Sequence, residues 1–167
     1  MSEIIDLLDD KLKQYNLTFT KKPILIGGMA MEYYGMRKSG KDIDLVICNE
    51  DYQLLANTMP EKRKDIYGDL GVVIGPFEIW RSIALLDYNF YQKDAIDVGF
   101  AIVVSLDRLL FMRVIDMQVE KYKNDLELMK EYYYKNFSNQ DFLNEADKHK
   151  SSYEKNNGII FSGKYDL

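Results

Sequence analysis

The sequence predicts a small mixed α/β (α+β) fold, a β-sheet with flanking helices and a helical C-terminal segment. Three observations predict it. Short apolar runs bounded by Gly and Pro read as buried strands. Amphipathic stretches of helical period separate the first of these runs. After Ser105 the turn residues thin out and helical periodicity takes over. Residues 1–104 are therefore expected to form an α/β core, and residues 105–167 a helical segment packed on it or appended to it.

The elements follow in order. Ile4, Leu7, Leu8 and Leu12 recur at helical spacing in Glu3 to Tyr15, with Ser2 as N-cap. Ile24-Leu25-Ile26, between Pro23 and Gly27-Gly28, reads as a buried strand. Met29 to Met36 reads as a short helix, Arg37 to Lys41 as a basic loop, and Ile43 to Ile47 as a β-branched strand. A helix is expected over Asp51 to Pro60, with Asn49 as its N-cap. Between Leu70 and Val104, Gly71, Gly75 and Pro76 punctuate short runs at Val72–Ile74, Phe77–Trp80, Phe90–Tyr91 and Ala95–Val104, which read as strands joined by tight turns. Leu106, Leu109, Leu110, Val114 and Met117 then share one helix face, extended by Tyr122, Leu126, Met129 and Tyr133. Ile159-Ile160-Phe161 offers a terminal strand.

Composition narrows the chemistry. The 167 residues are 47% hydrophobic and 29% charged, ordinary for a folded chain. The net charge of −5 argues against an extended duplex-nucleic-acid surface. No apolar run approaches the roughly 18 residues of a spanning helix, so no membrane partner is expected. The acidic residues near Met1 are unlike a secretory leader, and a cytoplasmic location is expected. A single cysteine, Cys48, excludes an internal disulfide and is expected to pack as a small hydrophobe. A single histidine, His149, excludes a two-histidine zinc site and is expected to be exposed and idle.

The most informative segment is Asp42-Ile43-Asp44-Leu45-Val46-Ile47. Side chains alternate along a strand, so Asp42 and Asp44 share one face while Ile43, Leu45 and Ile47 point to the core. Two carboxylates about 6.6 Å apart along a strand can converge on a hard cation. Gly27-Gly28 lies between a strand and a helix, where free amides and missing Cβ atoms suit an anion. Asp97, between Ile96 and Val98 in a later strand, is a candidate third carboxylate. Gly35 to Asp42 nearly matches a P-loop, but it follows a helix, opens a strand and ends in Asp, so that reading is rejected. Among the loop's basic residues Lys41, adjoining Asp42, is the favoured phosphate contact.

This order and spacing, Gly27-Gly28, then Asp42-Ile43-Asp44, then Ile96-Asp97-Val98, resembles the nucleotidyltransferase superfamily, most closely its small bacterial minimal and AbiEii-like members. The resemblance spans about residues 24–100. It implies a nucleotidyltransferase-type sheet that transfers a nucleoside monophosphate from a nucleoside triphosphate to an acceptor hydroxyl on a small molecule, tRNA or protein. It further implies Gly27 and Gly28 at the triphosphate, and one or two Mg²⁺ ions held by Asp42, Asp44 and Asp97, with Asp97 also activating the hydroxyl. Arg113, Lys121 and Lys123 are the candidates for a basic residue downstream. The alternative is a nucleotide-binding module on the same fold that does not catalyse, as in a toxin–antitoxin or defence pair.

Overall fold

The computed structural model describes residues 2–116 and 119–157. Met117 and the strand expected at residues 159–161 lie outside the described residues. The described residues divide into two units, one up to Ser105 and one from Leu106 onward.

The first unit opens with α1 (Glu3–Gln14), capped by the Ser2 side chain, which accepts from the Ile4 N–H. Its apolar stripe, Ile4, Ile5, Leu8 and Leu12, is buried as the periodicity requires. Then come β1 (Ile24–Ile26), α2 (Gly27–Tyr33), β2 (Ile43–Val46) and α3 (Asn49–Thr58). Helix α2 begins at Gly27, directly off β1, two residues before the expected start. Asn49 is the first residue of α3 rather than its cap, and the cap position belongs to Cys48, whose side chain makes no capping bond. Cys48 is buried, as expected.

Strands β3 (Gly71–Ile74) and β4 (Phe77–Trp80) form a hairpin over Gly75-Pro76. A two-residue ribbon of β5 (Ser82–Ile83) and β6 (Leu86–Asp87) follows. Phe90–Tyr91, expected as strand, belongs instead to the short helix α4 (Tyr88–Tyr91), because the Asp87 carboxylate accepts from the Asn89 and Phe90 N–H groups and starts a helical turn. The expected strand Ala95–Val104 is broken into β7 (Ile96–Asp97) and β8 (Ile102–Val103), which pair antiparallel around a turn at positive-φ Gly99.

The six strands form one mixed sheet in the order β3-β4-β2-β1-β8-β7. The central strands β1 and β2 pair antiparallel, with Ile26 opposite Asp44. Strand β2 pairs parallel with β4, and β1 pairs parallel with β8. Ile24, Leu25, Leu45, Phe77 and Ile79 are fully enclosed. At about 25 cal/mol per Å², such burial on both faces of the central strands stabilises the pairing, and the half-buried Asp44 and Glu78 mark the face that a one-residue slip would turn into the core. A latch holds the entry to the sheet. The buried Asp51 carboxylate on α3 accepts from Thr20 N–H (2.9 Å), Thr20 Oγ1 (2.9 Å) and Lys21 N–H (3.3 Å), pinning the loop that leads into β1.

The second unit is helical: α5 (Leu106–Ile115), α6 (Glu120–Asn136) and α7 (Asn139–Asn157). Leu109, Leu110 and Val114 of α5, Leu126, Met129 and Tyr133 of α6, and Phe142 and Ala146 of α7 are its buried residues of helical spacing.

Candidate functional site

Register builds the site. Strand β2 sits between β1 and β4, and both neighbours bring chemistry to Asp44. On the β1 side Ile26 is its register partner, and the chain then turns through Gly27 and Gly28 into α2. On the β4 side its partner is Glu78. Residues paired across a ladder point to the same face about 4.8 Å apart, so the Asp44 and Glu78 side chains rise together. Asp42, two residues before Asp44, lies on that face by alternation. Ile43 and Leu45, between and after them, are buried on the other side. The result is two half-buried carboxylates on adjoining strands, Asp44 and Glu78, with the exposed Asp42 just before β2.

The first glycine of the turn is sterically required. Gly27 has φ +68°, and a Cβ there would overlap the Asp44 carboxylate, so the bare Cα is what lets β2 present Asp44 against the turn. At Gly28 a Cβ would come within 3.2 Å of Arg37 Nη1. The guanidinium therefore lies over the start of α2, and Arg37 Nη1 donates to the Lys38 carbonyl at 3.0 Å. The loop carrying Arg37 is fixed by Glu32, which accepts from Ser39 Oγ (2.6 Å) and Ser39 N–H (2.8 Å) and pairs with Lys38. Those bonds hold the Glu32 carboxyl down at about 2. Lys41 is exposed beside Asp42.

A cation reaches the cluster from the segment before β3. The Lys64 N–H donates to the Gly71 carbonyl, and Lys64 Nζ lies 2.7 Å from Glu78 Oε1. The Glu78 hydrogen bond and charge raise the lysine pKa, opposed by its partial burial, and the Asp42 and Asp44 charges raise it further. The ammonium thus pairs with Glu78 and feels the charge of the other two acids.

Asp97 does not join them. Its face parity agrees with that of Asp44, traced through Ile102 and Ile24. Yet β8 and β1 stand between β7 and β2, a lateral separation of about 14 Å at ordinary strand spacing. The exposed Asp97 carboxylate instead accepts from Lys22 Nζ at 2.7 and 3.0 Å and from the Gly99 N–H at 2.8 Å. Its hydrogen bond to Lys22, with the Gly99 amide, lowers its pKa. The expectation that Asp97 stands beside Asp44 is therefore corrected: alternation set its face properly, but strand order carried it to the edge.

The acid that sequence reasoning missed is Glu78. Phe77-Glu78-Ile79 carries the same apolar-acid-apolar pattern as Ile96-Asp97-Val98, and only the parallel pairing of β4 with β2 separates the two. Lys64 gave no signal beyond its charge.

The downstream basic candidates are engaged within the helical unit. Arg113 is buried, with Nε 3.0 Å from Asp125 Oδ2 and its guanidinium 4.5 Å from the centre of the Tyr122 ring. Lys123 pairs with Glu120, and Lys121 lies 5.8 Å from the Tyr122 ring centre. The expectation of an exposed, idle His149 is also corrected, since it is 5% exposed and bonded to Asp107 at 2.8 Å. The helical stripe at α7 needs an inward residue at that position, and Asp107 satisfies the ring nitrogen.

No protein-family model and no curated protein matches the chain. Among the described residues, no helix is long and apolar enough to cross a membrane.

Proposed function

We propose that Asp42, Asp44 and Glu78, beside the Gly27–Gly28 turn, form a Mg²⁺-dependent nucleotidyltransferase site. It would move a nucleoside monophosphate from a nucleoside triphosphate to an acceptor hydroxyl in the cytoplasm. The observation that carries this reading is the register pairing of Asp44 with Glu78, with Asp42 on the same face. The donor type suits the metal, since carboxylates are hard oxygen ligands of the kind Mg²⁺ takes together with phosphate and water, and the Asp42, Asp44 and Glu78 side chains would have to draw together to share one ion. When bound, Mg²⁺ would neutralise triphosphate charge and ease deprotonation of the attacking hydroxyl.

The chain's own residues have the remaining tasks. Gly27, without a Cβ, lets the Asp44 carboxylate stand against the turn, and Gly28 leaves room for the Arg37 guanidinium over the start of α2. Arg37 over Gly28, and Lys41 next to Asp42, supply positive charge toward the leaving pyrophosphate. Glu32 keeps the Arg37 loop in place through Ser39. Catalysis of this kind is mostly positioning and electrostatic stabilisation, for which a rigid pair of central strands is suited.

Calorimetric titration of the full chain with each nucleoside triphosphate, with and without Mg²⁺, tests the proposal. Tighter binding with Mg²⁺, lost in Asp44→Asn and in Glu78→Gln, is expected. Equal affinity with and without Mg²⁺ would refute the carboxylate site.

A second reading, a nucleotide-binding module without catalysis, is favoured by one observation. The Lys64 ammonium already compensates Glu78. If Lys64 serves as the permanent counter-ion, nucleotide binds without Mg²⁺ and no pyrophosphate is released with any acceptor.

A further inference from the structure

The helical unit holds a second cluster of ligand-type side chains, separate from the three acids on the sheet. Asp107 is the second residue of α5. Glu145 and His149 are four residues apart on α7 and so share one helix face. One donor atom from each of the three lies within 4.8 Å of the others, and His149 Nε2 is 2.8 Å from Asp107 Oδ1. The imidazole is buried, while Asp107 and Glu145 are half-buried, which leaves one side of the cluster open to water. Phe111 packs edge-on against the imidazole with ring centres 5.6 Å apart, and it contacts Tyr153 in the same way. The ring is thereby held with its nitrogen toward the carboxylates.

We propose that Asp107, Glu145 and His149 form a binding site for a first-row divalent transition ion, Zn²⁺ above all, that ties α5 to α7. Geometry supports this. With bonds of about 2.0–2.1 Å, neighbouring ligand atoms around such an ion are roughly 2.9 Å apart in an octahedral site and 3.4 Å in a tetrahedral one. The His149–Asp107 separation is close to that range, and Glu145 needs only a side-chain rotation to complete the set. Chemistry selects the ion. An imidazole with two carboxylates suits Zn²⁺ better than Mg²⁺ or Ca²⁺, which take oxygen alone, and the absence of a thiolate disfavours Cu(I). Three protein ligands leave a position on the solvent side for water. Arg108, 3.4 Å from Asp107, and Lys148, 3.8 Å from Glu145, reduce the negative charge without entering the donor set. The buried Tyr133 hydroxyl is held protonated by burial and by the Asp107, Glu145 and Asp141 charges, so negative potential does concentrate here. On binding, His149 Nε2 exchanges its hydrogen bond with Asp107 for a nitrogen–metal bond.

The experiment uses the full chain carrying Asp42→Asn and Asp44→Asn, so that the sheet acids cannot supply the signal. No nucleotide is present, so failure here is distinct from failure of the transferase reading. After EDTA treatment and dialysis, Zn²⁺ is titrated by calorimetry and the melting temperature is followed. One ion per chain and a rise in Tm are expected, with Mg²⁺ at the same concentration giving neither. Glu145→Gln should weaken Zn²⁺ binding at least tenfold while the metal-free Tm stays the same, because that variant keeps the His149–Asp107 bond. His149→Gln should abolish binding; should it fail to fold, Glu145→Gln still decides. Absence of a Zn²⁺ effect, or Zn²⁺ binding that Glu145→Gln leaves unchanged, would overturn the site and leave Asp107–His149 as a plain hydrogen-bonded pair.

Discussion

Removing the Lys64 charge is the most direct probe of the acidic cluster. In Lys64→Met the aliphatic stem is kept and the ammonium is lost. Lys64 Nζ lies 2.7 Å from Glu78 Oε1, with the lysine side chain 41% and the glutamate 26% exposed, so water screens the pair. A partly exposed pair of this kind is worth about 0.5–1 kcal/mol, and its loss lowers Tm by roughly 1–4 °C in a chain of this size. The effect on Mg²⁺ has the opposite sign. An ion among Asp42, Asp44 and Glu78 would lie about 5 Å from the ammonium, and a double charge facing a single one at that distance costs about 1.7 kcal/mol in water. Salt trims this, so relief of about 1–1.5 kcal/mol, or roughly 5- to 13-fold tighter Mg²⁺ binding, is expected. Calorimetric Mg²⁺ titration of wild type, Lys64→Met and the charge-keeping Lys64→Arg measures it. Mg²⁺ affinity that is unchanged or weaker in Lys64→Met would mean that cation and lysine do not compete, and the site would have to lie elsewhere.

Three further outcomes are expected. Gly27→Ala should destabilise the fold by about 2–4 kcal/mol in denaturant melts, since it meets both a positive φ and the Asp44 carboxylate, and Gly28→Ala should cost less because only the mobile end of Arg37 must give. Asp97→Asn should leave Mg²⁺-dependent nucleotide affinity unchanged in the calorimetric assay, because its carboxylate serves Lys22 and Gly99 at the sheet edge. Asp51→Ala should cost about 2–4 kcal/mol by strandeding the Thr20 and Lys21 donors. Burial pushes the Asp51 carboxyl up, but hydrogen bonds from Thr20, Cys48 and Lys21 outweigh it and hold the group below its ordinary value. Its contribution is therefore present above the ordinary carboxylate range and lost as pH falls through the folded value, so acid melts of wild type and Asp51→Ala should converge at low pH.

Local chemistry was enough to read the central strands, the glycine turn and the first acid pair. Ile24–Ile26 and Ile43–Val46 are apolar runs whose faces alternation assigns, and Gly27-Gly28 marks a break whose first position calls for a residue without a Cβ. The break in Ala95–Val104 and the helical turn at Tyr88–Tyr91 escaped because each depends on one backbone conformation or one carboxylate-to-amide bond, at Gly99 and Asp87. His149 was misread because a charged neighbourhood in sequence says nothing of which helix face is inward.

The choice between Glu78 and Asp97 belonged to tertiary structure alone. Both sit in apolar strands with the same pattern, and strand periodicity gives each a face but no position across the sheet. That position is set by which strands pair. Burial of Phe77 and Ile79 against the neighbouring strand seats β4 beside β2, whereas the β7–β8 hairpin joins on the far side of β1. The sequence by itself determined that acids would line one face beside a glycine turn. Long-range pairing, which is a sum over the whole core and not a property of any segment, decided that Glu78 stands opposite Asp44 and that Lys64 pairs with Glu78.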